Sequence, residues 1–178
     1  LDSFERLLGE LEALFPEFHK PLAAHLEEAV GGFPRRALLK LTELLHDVGK
    51  PSTAKVEEGK LHFYGHDHAG GEMAGKIAQR LRLSNEEGRS LSGMVNAHMR
   101  PGNLGHQPQL TDRAIFRFFR DLAGDAVGML AVALADHFTY LSDKERKSRK
   151  DPVYLAVHRM LSSFFMKPEV VAPPKIID

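Results

Sequence analysis

Residues 125–141 are apolar around nearly the whole circumference of a helix. Val127, Met129, Leu130, Val132, Leu134, Phe138 and Leu141 leave no broad polar face. Such a helix has to be enclosed by other elements. Neither this stretch nor any other apolar run approaches the length of a membrane-spanning helix. No secretory signal pattern is visible, so a cytoplasmic protein with no membrane partner is the expectation.

The enclosing elements are also helical in pattern. Phe4, Leu7, Leu8, Leu11, Leu14 and Phe15 recur at helical spacing and stop near Pro16. A second helix is predicted over about 17–30, ended by Gly31-Gly32. A third follows Pro34, with Ala37, Leu38, Leu41, Leu44, Leu45 and Val48 on one face and Gly49 and Pro51 as its stop. Residues 53–64 read as a short β excursion around Glu58-Gly59, or as a loop. Helical spacing returns from Gly65 through Leu81. Ser84 and Glu87 match a capping box ahead of Leu91, Met94 and Val95. Pro101 is read as the end of that helix and 100–110 as a loop. Thr111 and Asp112 open the next helix, another covers 152–165, and the tail from Pro168 is read as loose. The expected fold class is all-α, a helical bundle with almost no sheet.

A bundle makes inward-facing polar side chains costly unless they find partners. Here several metal-competent groups face inward from different helices. His46 and Asp47 end the third helix, and His66 opens a later one. His98 shares a face with Met94 and Val95, His25 lies between Leu22 and Ala29, and Asp136 sits inside the most apolar helix. Taken singly, each has an ordinary explanation: a hydrogen-bonded core histidine, or an acid paired to an arginine. A divalent cation would satisfy several of them together. The chain has no cysteine, so the ligands would be imidazole and carboxylate, a set that leaves Mg, Mn, Fe, Co, Ni and Zn open. Lys plus Arg equals Asp plus Glu at 24 each, so no net basic field advertises nucleic acid. Local basic patches exist at Arg35-Arg36 and along Lys144–Lys150, and such runs are commonly solvated faces.

The stretch LLKLTELLHDVGKPST (38–53) resembles the signature helix of the HD phosphohydrolase superfamily. FYGHDHAGGEMA (63–74), RLRLSN (80–85), NAHMRPGNL (96–104), LTDRAIFRFFRD (110–121) and ALAD (133–136) follow it in order. This order resembles the C-terminal HD domain of the bacterial CCA-adding tRNA nucleotidyltransferase and poly(A) polymerase family, over roughly residues 20–140. The resemblance implies a helical metal-binding domain. It implies His46-Asp47 as the ligand doublet, Asp136 as the distal ligand, His66 and His98 as ligands of a second metal, and His25 as the leading histidine. It further implies His46, Asp47 and Lys50 in catalysis, with Lys50 or Arg100 meeting a substrate phosphate.

The expected organisation is a lead-in helix at 1–16, the HD domain at 17–142 and a helical extension at 143–178. Nothing here resembles the family's nucleotidyltransferase head. With the start at Leu1, this points to a fragment of a longer protein whose remainder carries that head. Two functions follow from different classes. One is a metal-dependent phosphohydrolase acting on phosphomonoesters, 2′-nucleotides or 2′,3′-cyclic phosphodiesters. The other is a non-catalytic module that positions tRNA or another RNA for the attached head, with a structural or vestigial metal. A regulatory nucleotide-binding domain is a third, lesser reading.

Overall fold

The computed structural model describes residues 2–171 and is mostly helical. In chain order the elements are α1 (Asp2–Gly9), α2 (Leu11–Leu14), α3 (His19–Glu27), β1 (Ala29–Val30), β2 (Phe33–Pro34), α4 (Arg35–Leu45) and α5 (Lys50–Thr53). Then come β3 (Lys55–Glu57), β4 (Lys60–His62), α6 (His66–Arg80), α7 (Asn85–Ala97), α8 (Met99–Gly105) and α9 (Asp112–Leu122). After a 3-10 turn at Ala123–Asp125 follow α10 (Ala126–Thr139), α11 (Asp143–Ser148), α12 (Pro152–Met166) and α13 (Pro168–Val171). The all-α expectation holds, and the only strands among the described residues form two small antiparallel hairpins, β1–β2 and β3–β4.

The chain divides into two compact units, Leu26–Met99 and Asp2–His25 with Arg100 onward. The first unit is built on an antiparallel α6–α7 hairpin. Ala74, Ala78, Leu91 and Val95 are buried between the two helices, with Leu41, Leu45 and Leu83 packed against them. Two glycines on α6 set the separation. A Cβ on Gly71 would lie 2.8 Å from the Asn96 Cβ, and one on Gly70 would lie 3.2 Å from a Val95 methyl. The predicted capping box is present at the start of α7, with the Ser84 side chain accepting from the Glu87 N–H and the Glu87 carboxylate accepting from the Ser84 N–H. That carboxylate also accepts the Gly32 N–H at 2.6 Å, which ties the β1–β2 turn to α7.

The second unit buries α10 on nearly every face, as its sequence required. Phe4, Leu7, Phe15, Phe18 and Leu22 from the N-terminal segment are buried in this unit, as are Val157, Met160 and Leu161 of α12. Aromatic stacking continues the core, with the Phe15 and Phe18 rings 5.3 Å apart and the Phe119 and Phe164 rings 5.3 Å apart.

Four local expectations are corrected, two of them about proline. Pro101 does not end α7; it lies in the first turn of α8, where its missing N–H leaves no bond unmade. Pro51 likewise stands at the start of α5, so the third helix ends earlier than expected, at Leu45. Gly31-Gly32 turn a β hairpin rather than only stopping α3, and Gly31 has a positive φ of 62°. The tail read as loose from Pro168 begins with the single turn of α13, and residues 172–178 lie outside the described residues.

Gly49 is the position where backbone approach is closest. A Cβ there would overlap the His66 carbonyl oxygen and lie 2.6 Å from the Gly70 backbone nitrogen. Gly93, inside α7, has open space around its added Cβ. Gly49→Ala should therefore destabilise by about 1–3 kcal/mol through overpacking against backbone. Gly93→Ala should stabilise by up to about 1 kcal/mol, because alanine loses less entropy in a helix. Thermal melts of the two variants check this, and equal melting temperatures would contradict the packing described.

Candidate metal centre

Antiparallel pairing of α6 and α7 brings the first residue of α6 beside the C-cap of α7. These residues are His66 and His98, and their Nε2 atoms lie 3.2 Å apart. The close fit of Gly49 against the first turns of α6 delivers the segment after α4 to the same place. That segment carries His46, the C-cap of α4, and Asp47. Asp47 Oδ1 is 3.6 Å from His66 Nε2 and 3.8 Å from His98 Nε2. Asp47 Oδ2 is 3.3 Å from His46 Nε2, and the His46 ring meets His98 edge-on at 5.3 Å. Donor atoms of Asp47, His66 and His98 all lie within 4.8 Å of one another, the spacing a single ion could bridge.

The second nitrogen of each ring decides what the first can do. Nδ1 of His46 lies 2.7 Å from the Glu43 carbonyl, Nδ1 of His66 2.8 Å from the Phe63 carbonyl, and Nδ1 of His98 2.7 Å from the Val95 carbonyl. A carbonyl oxygen can only accept, so each Nδ1 carries the proton and donates. In the neutral rings every Nε2 then presents a lone pair. Two such lone pairs face each other between His66 and His98, with a carboxylate oxygen alongside. That arrangement is repulsive unless a proton or a cation lies among them. The donor set therefore fits a divalent metal, and the carbonyl bonds are the outer contacts that orient metal-binding imidazoles.

The electrostatics agree with that reading. Burial disfavours the His98 imidazolium and outweighs the Val95 carbonyl bond; with the neighbouring His46 and His66 it pushes the His98 pKa below its ordinary 6.5. His98 is thus held neutral, the form that binds metal. Burial alone would raise the Asp47 carboxyl, but the Lys50 hydrogen bond and the positive charge beside it hold it below the ordinary 3.8. Lys50 Nζ donates to Asp47 Oδ2 at 2.6 Å and sits 5.7 Å from the centre of the Phe63 ring. The histidine side chains are largely buried, while Asp47 and Lys50 are each about a third exposed, so the cluster opens to solvent on their side.

Of the residues singled out from sequence, His46, Asp47, Lys50, His66 and His98 come together in the first unit. His25, Asp136 and Arg100 belong to the second unit. His25 is buried there with its ring edge-on to Phe164 at 5.9 Å. Asp136 is half-buried rather than buried, and its carbonyl accepts from the Thr139 hydroxyl at 2.7 Å. The Arg100 guanidinium donates to Asp121 at 3.1 Å and lies over the Phe118 ring at 5.4 Å. Sequence reasoning passed over the three carbonyls that orient the imidazoles. Their signal was present, since each is three residues before its histidine.

Comparison with known proteins accords with this geometry. The family model described as HD domain matches residues 21–150. This chain belongs to the HD domain family. The HD domain is 31% identical to the A-adding tRNA nucleotidyltransferase of Deinococcus radiodurans over 146 residues, covering 79% of this chain and 31% of that protein. It is 35% identical to the CC-adding tRNA nucleotidyltransferase of Thermus thermophilus over 97 residues, covering 52% of this chain and 21% of that protein. The matched stretch thus spans about a third or less of each relative's length.

If the HD domain binds a cation at this cluster, Asp47→Asn should weaken it more than about tenfold, because the amide keeps the shape and removes the charge. Titration calorimetry with Mn or Zn measures the effect. Unchanged affinity would remove Asp47 from the metal's ligands.

Proposed function

We propose that this HD domain is a metal-dependent phosphohydrolase of phosphomonoesters and 2′,3′-cyclic phosphodiesters. The observation that carries the reading is the convergence of the His66 and His98 Nε2 lone pairs on Asp47, with Lys50 beside it. Asp47, His66 and His98, with His46 adjoining, would hold Mg, Mn, Fe, Co, Ni or Zn. When bound, such an ion lowers the pKa of water and polarises a phosphoryl oxygen.

The chain's own residues supply the rest. Three backbone carbonyls keep the imidazoles aimed. Burial keeps His98 neutral and Lys50 keeps Asp47 ionised, so the cluster is ready for a cation at neutral pH. Lys50, partly exposed, offers a positive charge to the anionic substrate. The resemblance offers His25 and Asp136 as further ligands and Arg100 as a further phosphate contact. Asp136→Asn tests the carboxylate by metal affinity rather than by activity alone. A cytoplasmic setting belongs to the same proposal; among the described residues no helix is long and apolar enough to cross a membrane.

The names of the matched relatives favour a second reading, an RNA-positioning module joined to a nucleotidyltransferase head, with tRNA as its partner. Phosphate release from a 2′-nucleotide, and ring opening of a 2′,3′-cyclic nucleotide, separate the two. The hydrolase reading predicts turnover that requires added metal, is abolished in His66→Ala, and shows a severalfold higher KM in Lys50→Ala. No turnover with a demonstrably loaded site, across Mg, Mn, Co and Ni, would favour the module.

A further inference from the structure

In the second unit, part of the basic run Lys144–Lys150 lines a pocket instead of only facing solvent. Arg146, Lys147 and Arg149 bound about 350 Å³ together with Arg6, Glu10 and Asp143, while Lys144 and Lys150 take no part in the lining. The two acids are already committed. Arg6 Nε donates to Glu10 Oε1 at 3.0 Å, and a terminal nitrogen of Arg6 donates to Asp143 Oδ1 at 3.1 Å. The other Glu10 oxygen accepts from Arg146 at 3.1 Å. Arg146 is largely buried, with its guanidinium carbon 4.9 Å from the centre of the Phe138 ring. Its Nε is buried with no hydrogen-bond partner among the described residues, so the carboxylate does not saturate this guanidinium.

Lys147 and Arg149 are exposed and make no hydrogen bond or ion pair among the described residues. Four basic side chains thus share two carboxylates, which leaves the pocket a surplus of two positive charges. The chain as a whole has none, with 24 basic and 24 acidic residues. The backbone adds an independent sign. Arg149 caps α11 at φ 52° and ψ 23°, in the left-handed region where a helix end favours glycine. An arginine held there carries strain that glycine would not, and strain of this kind gathers at ligand-binding positions. Guanidinium forks match the oxygens of a phosphate, and a lysine adds a point charge to them. A phosphomonoester carries about −1.5 to −2 charges near neutral pH, whereas a phosphodiester carries only one. The surplus fits the monoester.

We propose that this pocket binds the phosphate group of a small phosphomonoester. Lys147 and Arg149 are its two unshared cations, and Arg146 is the guanidinium that Glu10 and Phe138 hold in place. The pocket has no residue in common with the metal cluster, and the assignment stands independently of the hydrolase reading.

Calorimetric titration of the whole chain with glycerol phosphate, in chelator and at fixed ionic strength, tests the assignment. Fixed ionic strength keeps the general screening of charges constant between ligands. Lys147→Ala combined with Arg149→Gly removes both unshared cations. It also gives the end of α11 the residue its backbone favours, so the fold is not at risk. Lys144→Ala combined with Lys150→Ala removes the same charge from the same run but leaves the pocket intact. The wild type should bind glycerol phosphate about tenfold or more tightly than dimethyl phosphate, a monoanionic diester. The pocket double variant should lose about tenfold or more in affinity for glycerol phosphate, as expected for lost bonds to a charged group. The control double variant should change it by less than about twofold, the behaviour of exposed charges that touch no ligand. No binding by the wild type overturns the assignment. So does affinity that survives in the pocket variant, an equal loss in the two double variants, or equal affinity for the diester.

Discussion

Three imidazoles whose Nδ1 protons are committed to backbone carbonyls give this site its character. Once those bonds form, the Nε2 atoms have no protons of their own in the neutral rings, and their lone pairs point at one another and at Asp47. A 3.2 Å separation between two acceptors is tolerable only with something positive between them. The depressed pKa of His98 and the depressed pKa of Asp47 push the same way. Together they give a neutral nitrogen donor at His98 beside an ionised Asp47 carboxylate, which is the protonation state a divalent cation needs.

The scaffold exists to bring these groups to one end of a helix pair. In α6 and α7 the chain reverses through the capping box at Ser84, so that a histidine at one helix start meets a histidine at the other helix end. Small residues then govern precision. Gly70 and Gly71 let the helices approach, and Gly49 lets the segment bearing His46 and Asp47 lie against the backbone of α6. A methyl group at Gly49 would collide with the carbonyl of His66 itself, so packing and site geometry are one constraint there.

Much of this was legible in the residues. The apolar periods of α6, α7, α9, α10 and α12 located those helices, and Ser84 and Thr111 located two of their starts. His46-Asp47 beside a glycine, and His98 on an apolar face, announced polar groups directed inward. What stayed hidden had physical causes. Proline both stops helices and opens them, because only the helix interior needs its missing N–H, so sequence alone does not tell that Pro51 and Pro101 stand at helix starts. Spacing along the chain could not say which of the separated candidates would converge. That depends on the glycine contacts between helices, which are long-range. The partnership of Lys50 with Asp47 was within reach, since the two are three residues apart, but a lysine after a glycine reads equally well as solvent-facing.

The positions of the ring protons decide what this site can bind, and nitrogen-15 NMR of the histidine side chains locates them directly. At a pH above the ordinary imidazole range, His46, His66 and His98 should all be Nδ1–H tautomers. One equivalent of Zn should then shift the Nε2 resonances of His66 and His98 together while leaving their Nδ1 protons in place. Finding Nε2–H tautomers at His66 and His98, unmoved by zinc, would contradict the account.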